Sequence, residues 1–106
     1  MSQIFKRGDI PEPTPPEEVV EVTGGAFVVR ALPFSERFSL ADEAEGKPRG
    51  WRILQILTRC VLYDDRTPVF GPEQWEAFAT RNRDDATALL DVAMRLSGFG
   101  EPEKNA

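Results

Sequence analysis

Residues 19–31 read VVEVTGGAFVVRA, two runs of β-branched and aromatic residues on either side of Gly24 and Gly25. Paired glycines between such runs can take the positive φ values of a two-residue turn, so the stretch predicts a β-hairpin. With Thr23 opposite Ala26, Val22 would face Phe27 and Val20 would face Val29 on one side, with Glu21 and Arg30 on the other. An isolated hairpin is marginal in water, so its greasy face needs a cover supplied by the rest of the chain.

That cover is readable as helices. FSERFSLADEAEG, residues 34–46, carries Ser35 as a candidate N-cap and Phe38 as its anchor, before Gly46, Pro48 and Gly50 interrupt the chain. RGWRILQILTRCVLY, residues 49–63, is far more apolar. At about 100° per residue, Arg52, Gln55 and Arg59 form one narrow polar stripe, and Trp51, Ile53, Leu54, Ile56, Leu57, Cys60 and Val61 cover nearly everything else. Such a helix belongs at the centre of a fold. Its polar stripe is either the solvated face or a polar seam against a partner.

Gly71-Pro72 opens a third helix with proline in its first turn, Glu73 near the positive end of the dipole, and Trp75, Phe78 and Ala79 facing inward. DDATALLDVAMRLSGFG, residues 84–100, gives a fourth. Asp84 or Asp85 is its cap, Ala86, Leu89, Leu90, Ala93 and Leu96 point inward, and Asp91 and Arg95 form an outer i,i+4 pair. Gly98 stops it, with Phe99 making the apolar contact of a glycine C-cap. The fold class is therefore α+β, a hairpin on a bundle of three to four helices. Residues 1–18, with four prolines and three glutamates in PEPTPPEE, read as a flexible arm; 19–100 as a single domain; and EPEKNA, 101–106, as a polar tail.

Composition narrows the function. A chain of 106 residues with a net charge of −5 lacks the clustered Lys and Arg from which nucleic-acid binders gain affinity. Its apolar runs are too short for a membrane span and no signal peptide opens it, so a cytoplasmic protein is expected, with neither nucleic acid nor membrane as partner. With one cysteine and no histidine the sequence offers neither a disulfide nor a zinc site. It has no histidine base, phosphate-cradling loop or G-x-S-x-G motif, so neither an enzyme nor a cofactor is expected. Asp64 and Asp65 lie between VLY and PVF without calcium-loop spacing and read as a turn. Cys60, on the apolar arc of its helix, reads as a small hydrophobe with a raised pKa.

Two tryptophans and seven phenylalanines are many large apolar groups for a small monomer to hide, which favours a partner surface. The best-placed candidates are Arg52, Gln55 and Arg59 as a charged rim beside Trp51 and Trp75.

The order of parts resembles the tail assembly chaperones of long-tailed bacteriophages, over about residues 19 to 105. In that family a strand runs into VRxLTGxER, an apolar helix leads to an acidic turn and LF, and the chain closes on RLNGLG and a charged tail. Here Val29-Arg30-Ala31-Leu32 with Glu36-Arg37, then Asp64, Asp65, Val69 and Phe70, then Arg95 to Gly100 stand at those places. Pro33 and Phe34 replace the family's Thr-Gly, and Arg66-Thr67 stand where a glycine is usual. The resemblance implies a non-catalytic accessory protein of an infected cell or prophage that binds the tape measure protein, helps recruit tail tube subunits, and is absent from the finished virion. Self-association is compatible with it. Rival readings are a structural tail or connector protein of the virion, and a small acidic regulatory protein that binds a host factor.

Overall fold

The computed structural model describes residues 3–99, so the expected tail, 101–106, lies outside the described residues. Strands β1 (Glu17–Val22) and β2 (Gly25–Arg30) form the antiparallel hairpin. Helices α1 (Phe34–Ala44) and α2 (Arg49–Cys60) follow, then a two-residue strand β3 (Val61–Leu62), and helices α3 (Pro72–Arg81) and α4 (Arg83–Leu96). The class is α+β, and β3 extends the hairpin to a three-stranded sheet in the order β1-β2-β3. β1 includes Glu17 and Glu18, so the strand begins two residues inside the arm expected over 1–18.

The hairpin register differs from expectation by a shift of the turn. Val22 pairs with Gly25 and Val20 with Phe27, so the turn is Thr23-Gly24, and only Gly24 takes a positive φ, +91°. Moving the turn one residue back leaves the faces intact, because even positions of β1 still oppose odd positions of β2. Val20, Val22, Phe27 and Val29 remain together on the side that packs against the helices.

The core gathers Val29 and Leu32, Leu40 of α1, Ile56, Leu57 and Cys60 of α2, Val61, Trp75 of α3, and Leu89 and Ala93 of α4. Helix α1 begins one residue after Pro33, not at a Ser35 cap. The Pro33 carbonyl accepts from the Glu36 and Arg37 N–H groups at 2.9 and 3.3 Å, and proline's missing N–H costs nothing there. The anchor of α1 is Leu40, 1% exposed, and not Phe38, which is 58% exposed. Phe34 and Phe38 lie one turn apart on the opposite face and stack edge-to-face on each other at 5.2 Å.

Helix α3 starts as expected, with Pro72 in its first turn and the Gln74 side chain accepting the Gly71 N–H at 2.9 Å. Helix α4 is capped by Asn82, which also closes α3, so Asp84 and Asp85 fall in the first turn instead of at the cap. Asp85 still does structural work: its carboxylate accepts the Thr23 N–H at 3.2 Å and ties the hairpin tip to α4. At the other end Gly98 takes φ +83°, the Phe99 N–H reaches the Met94 carbonyl at 2.9 Å and the Gly98 N–H reaches Arg95 at 3.2 Å. This is a Schellman stop. Arg95, expected beside Asp91, reaches across to Glu18 on β1 at 2.8 and 3.0 Å.

Ser97 fastens that helix end to the sheet. It is 6% exposed, and its hydroxyl accepts the buried Leu32 N–H at 2.9 Å. Ser97→Ala should cost about 1–3 kcal/mol in a urea melt, because it strands a buried donor. A change below a few tenths would mean that the Leu32 amide finds another acceptor.

Candidate functional site

The turn at 63–67 comes first, since it holds the paired carboxylates. The Tyr63 N–H donates to the Thr67 carbonyl and the Arg66 N–H to the Tyr63 carbonyl, both at 2.9 Å. The Asp65 carboxylate accepts from the Thr67 N–H at 3.0 Å and from its hydroxyl at 2.7 Å, which holds the Asp65 pKa below the usual range. Arg66 takes the left-handed conformation, φ +71°, uncommon for a residue with a side chain. Its guanidinium compensates by gripping Glu17 on β1 at 2.6 and 3.0 Å. Glu17 also meets Arg30 at 2.9 Å, so one carboxylate joins both strands of the hairpin to the turn.

Among the described residues no cluster of His, Cys, Asp and Glu is placed to hold a metal. Replacing Asp64 with Asn should leave the melting temperature nearly unchanged, and calcium or magnesium should not raise it in either protein; a cation-dependent rise lost in Asp64→Asn would contradict the turn assignment.

Acid should act through these pairs. The pKa of Glu17 is lowered by its hydrogen bonds to Arg66 and Arg30, that of Glu18 by its hydrogen bonds to Arg95, and that of Asp65 by Thr67. A depressed folded-state pKa contributes stability that is present above the unfolded value and lost as pH falls through the folded one. Stability should therefore hold near neutrality and fade once pH drops below the unfolded carboxylate values of 3.8 to 4.5. A Glu17→Gln, Glu18→Gln double variant should flatten the upper part of that decline in pH-dependent urea melts.

The expected rim is dispersed by the fold. Arg59 is the seam between α2 and α1, meeting Glu43 at 3.3 Å and Glu36 at 3.7 Å. Gln55, 3.5 Å from Arg59, is half-buried and lines a hollow with Trp51, Leu54 and the start of α3. Trp51 is half-buried, with the Lys47 ammonium 5.2 Å from its ring. Arg52 is exposed and lies 5.3 Å from the Phe99 ring, which Arg37 also approaches at 5.0 Å. Trp75 is no rim residue: it is 0% exposed, enclosed by Phe27, Phe70 and Phe78. Its place on the inner face of α3 stands, and its role as a contact for a partner falls.

What the fold leaves open lies one face further round α2. Ile53 and Leu54 are only half-buried, as are Leu90 and Met94 across from them on α4. They line two adjoining hollows of about 260 and 230 Å³ that share Ile53 and Leu90. Phe99 closes one end, and Arg49, Arg52 and Arg83 stand along the edge. The sequence held a signal for this groove. A helix apolar over nearly its whole circumference has more greasy surface than four helices and three short strands can enclose.

Cys60 is fully enclosed, and burial raises its thiol pKa to about 11, so it is a packing residue and not a nucleophile at neutral pH. No helix among the described residues is long and apolar enough to cross a membrane. No family model, curated protein or solved structure matches the chain.

Proposed function

We propose that this chain is a tail assembly chaperone of a long-tailed bacteriophage or prophage, acting in the host cytoplasm without catalysis. It binds the tape measure protein, helps bring tail tube subunits to it, and leaves before the virion is complete. The observation that carries the reading is the open apolar groove between α2 and α4 with arginines on its edge. A long helical protein exposes apolar stripes until a tube encloses them, and a groove of this kind covers such a stripe. The tape measure itself comes from the resemblance in residue order. The three family-like stretches also have structural employment here: Leu32 meets Ser97, Arg37 meets Phe99, and Phe70 packs on Trp75.

A decoy presenting carboxylates to a basic host factor fits less well, because Glu17, Glu18, Glu36 and Glu43 are each engaged by arginine instead of lining one free face. Co-expression with the long coiled-coil-rich protein of a neighbouring gene should keep that protein soluble, and mass spectrometry of purified particles should find none of this chain. Stoichiometric presence in particles would make it a structural tail protein. An insoluble partner in its presence would remove the chaperone reading.

A further inference from the structure

The groove has a shape and a charge that specify its occupant more closely than the function requires. Its floor is made by Ile56 and Leu57, each 1% exposed, and its walls by the half-buried side chains of Ile53, Leu54, Leu90 and Met94. From Arg49 to Leu57 α2 rises ~12 Å, and from i to i+7 a helix rises ~10 Å, so the groove accommodates three apolar anchors on one helix face. Such a helix would lie against α2 and α4 at the usual spacing of packed helices.

The charge is the more informative feature. The molecule carries a net charge of −5, yet arginines alone supply the charge along this groove: no described carboxylate lines either hollow. Arg83 at one end is followed by Asp84 and Asp85, which line a separate hollow with Thr23. The opposite end is more strongly cationic, since Arg49 and Arg52 are joined by Arg37 beside the Phe99 ring. An apolar floor excludes a phosphate backbone, and a basic helix would meet like charge. We infer that the groove between α2 and α4 seats a single amphipathic helix whose apolar stripe, at i, i+4 and i+7, is flanked by carboxylates that meet Arg49 and Arg52. This rests on reading the chain as a protein that covers helices, and it gives the chemistry of the segment covered.

The test uses the full chain and three labelled 18-residue helical peptides. One carries a leucine stripe flanked by glutamates, one the same stripe flanked by lysines, and one the glutamates with the leucines scattered around the helix. Fluorescence anisotropy should show the first bound at least tenfold more tightly than the others, and weakened severalfold between low and high salt. Arg49→Glu with Arg52→Glu should weaken it at least tenfold with circular dichroism and melting temperature unchanged, while Arg81→Glu, outside the groove, should not. Amide shifts in NMR spectra should centre on Ile53, Leu90 and Met94.

Equal binding of the lysine-flanked peptide would overturn the assignment. So would a footprint on the exposed Phe34–Phe38 pair, or burial of the groove by a second copy of the chain before peptide is added. Selective peptide binding with no effect on the tape measure protein would leave this inference standing and remove the proposed function; the converse result would do the opposite.

Discussion

Trp75→Ala is expected to destabilise the fold by about 3–5 kcal/mol, the range for removing a buried aromatic side chain. The indole is 0% exposed, with ring centroids of Phe70, Phe78 and Phe27 at 4.9, 5.1 and 6.5 Å, all in edge-on arrangements. It joins α3 to the hairpin through Phe27 and to the incoming loop through Phe70, so a cavity there loosens three elements at once. The indole N–H has no hydrogen-bond partner among the described residues, so Trp75→Phe removes a buried donor that they leave unsatisfied as well as volume. That variant should cost much less than the alanine one. Guanidinium melts read both. A near-neutral Trp75→Ala would mean that the indole lies at the surface and is free to meet a partner.

Leu40→Ala should have the next largest effect, about 2–5 kcal/mol, with a different distribution. Among the described residues Leu40 is the one side chain of α1 in the buried core cluster; α1 is also attached through Arg59 to Glu36 and Glu43, and through Arg37 over Phe99. Exposed ion pairs of this sort add little, so α1 is held chiefly by one leucine. Hydrogen exchange should show protection lost first along residues 34–44, while amides of β2 and α4 retain theirs until global unfolding. Uniform loss across all elements would show α1 to be integral to the cooperative core.

The elements were legible where a period recurs. Alternation over residues 19–30 defined the greasy face of the hairpin, and it survived an error in the turn because displacing the turn by one residue shifts each cross-strand partner by two and so preserves which side chains share a face. Helix ends were read less well. Pro33 and Asn82 hold the N-cap positions without a side-chain cap, and nothing in Ser35 or Asp84 announces that they sit two residues further in, within the first turn. The anchor of α1 was missed for a geometric reason. Phe34, Phe38 and Leu40 put apolar groups on two opposed faces, and only the position of α2 decides which is covered.

The candidate groove was legible as an excess of apolar surface and not as a position. Excess apolar surface on α2 pointed to a partner face, but a helical wheel gives angles without neighbours. It could not show that α1 would claim Arg59, or that Leu90 and Met94 would stand opposite Ile53. Of the arginines that edge the open groove, Arg52 was legible on the wheel, whereas Arg49 and Arg83 lie at helix starts where the wheel had no reason to single them out.

The central claim is that the face between α2 and α4 covers an apolar stripe of the tape measure protein. It is tested most directly by co-purifying that protein with the wild-type chain, with an Arg49→Glu, Arg52→Glu, Arg83→Glu variant, and with a chain lacking residues 1–16. The triple reversal should abolish co-purification with a native circular dichroism spectrum, while removal of the arm should leave it largely intact. Loss of the complex on removing the arm, with the triple reversal binding as wild type, would place the interaction in the proline-rich segment and contradict the account.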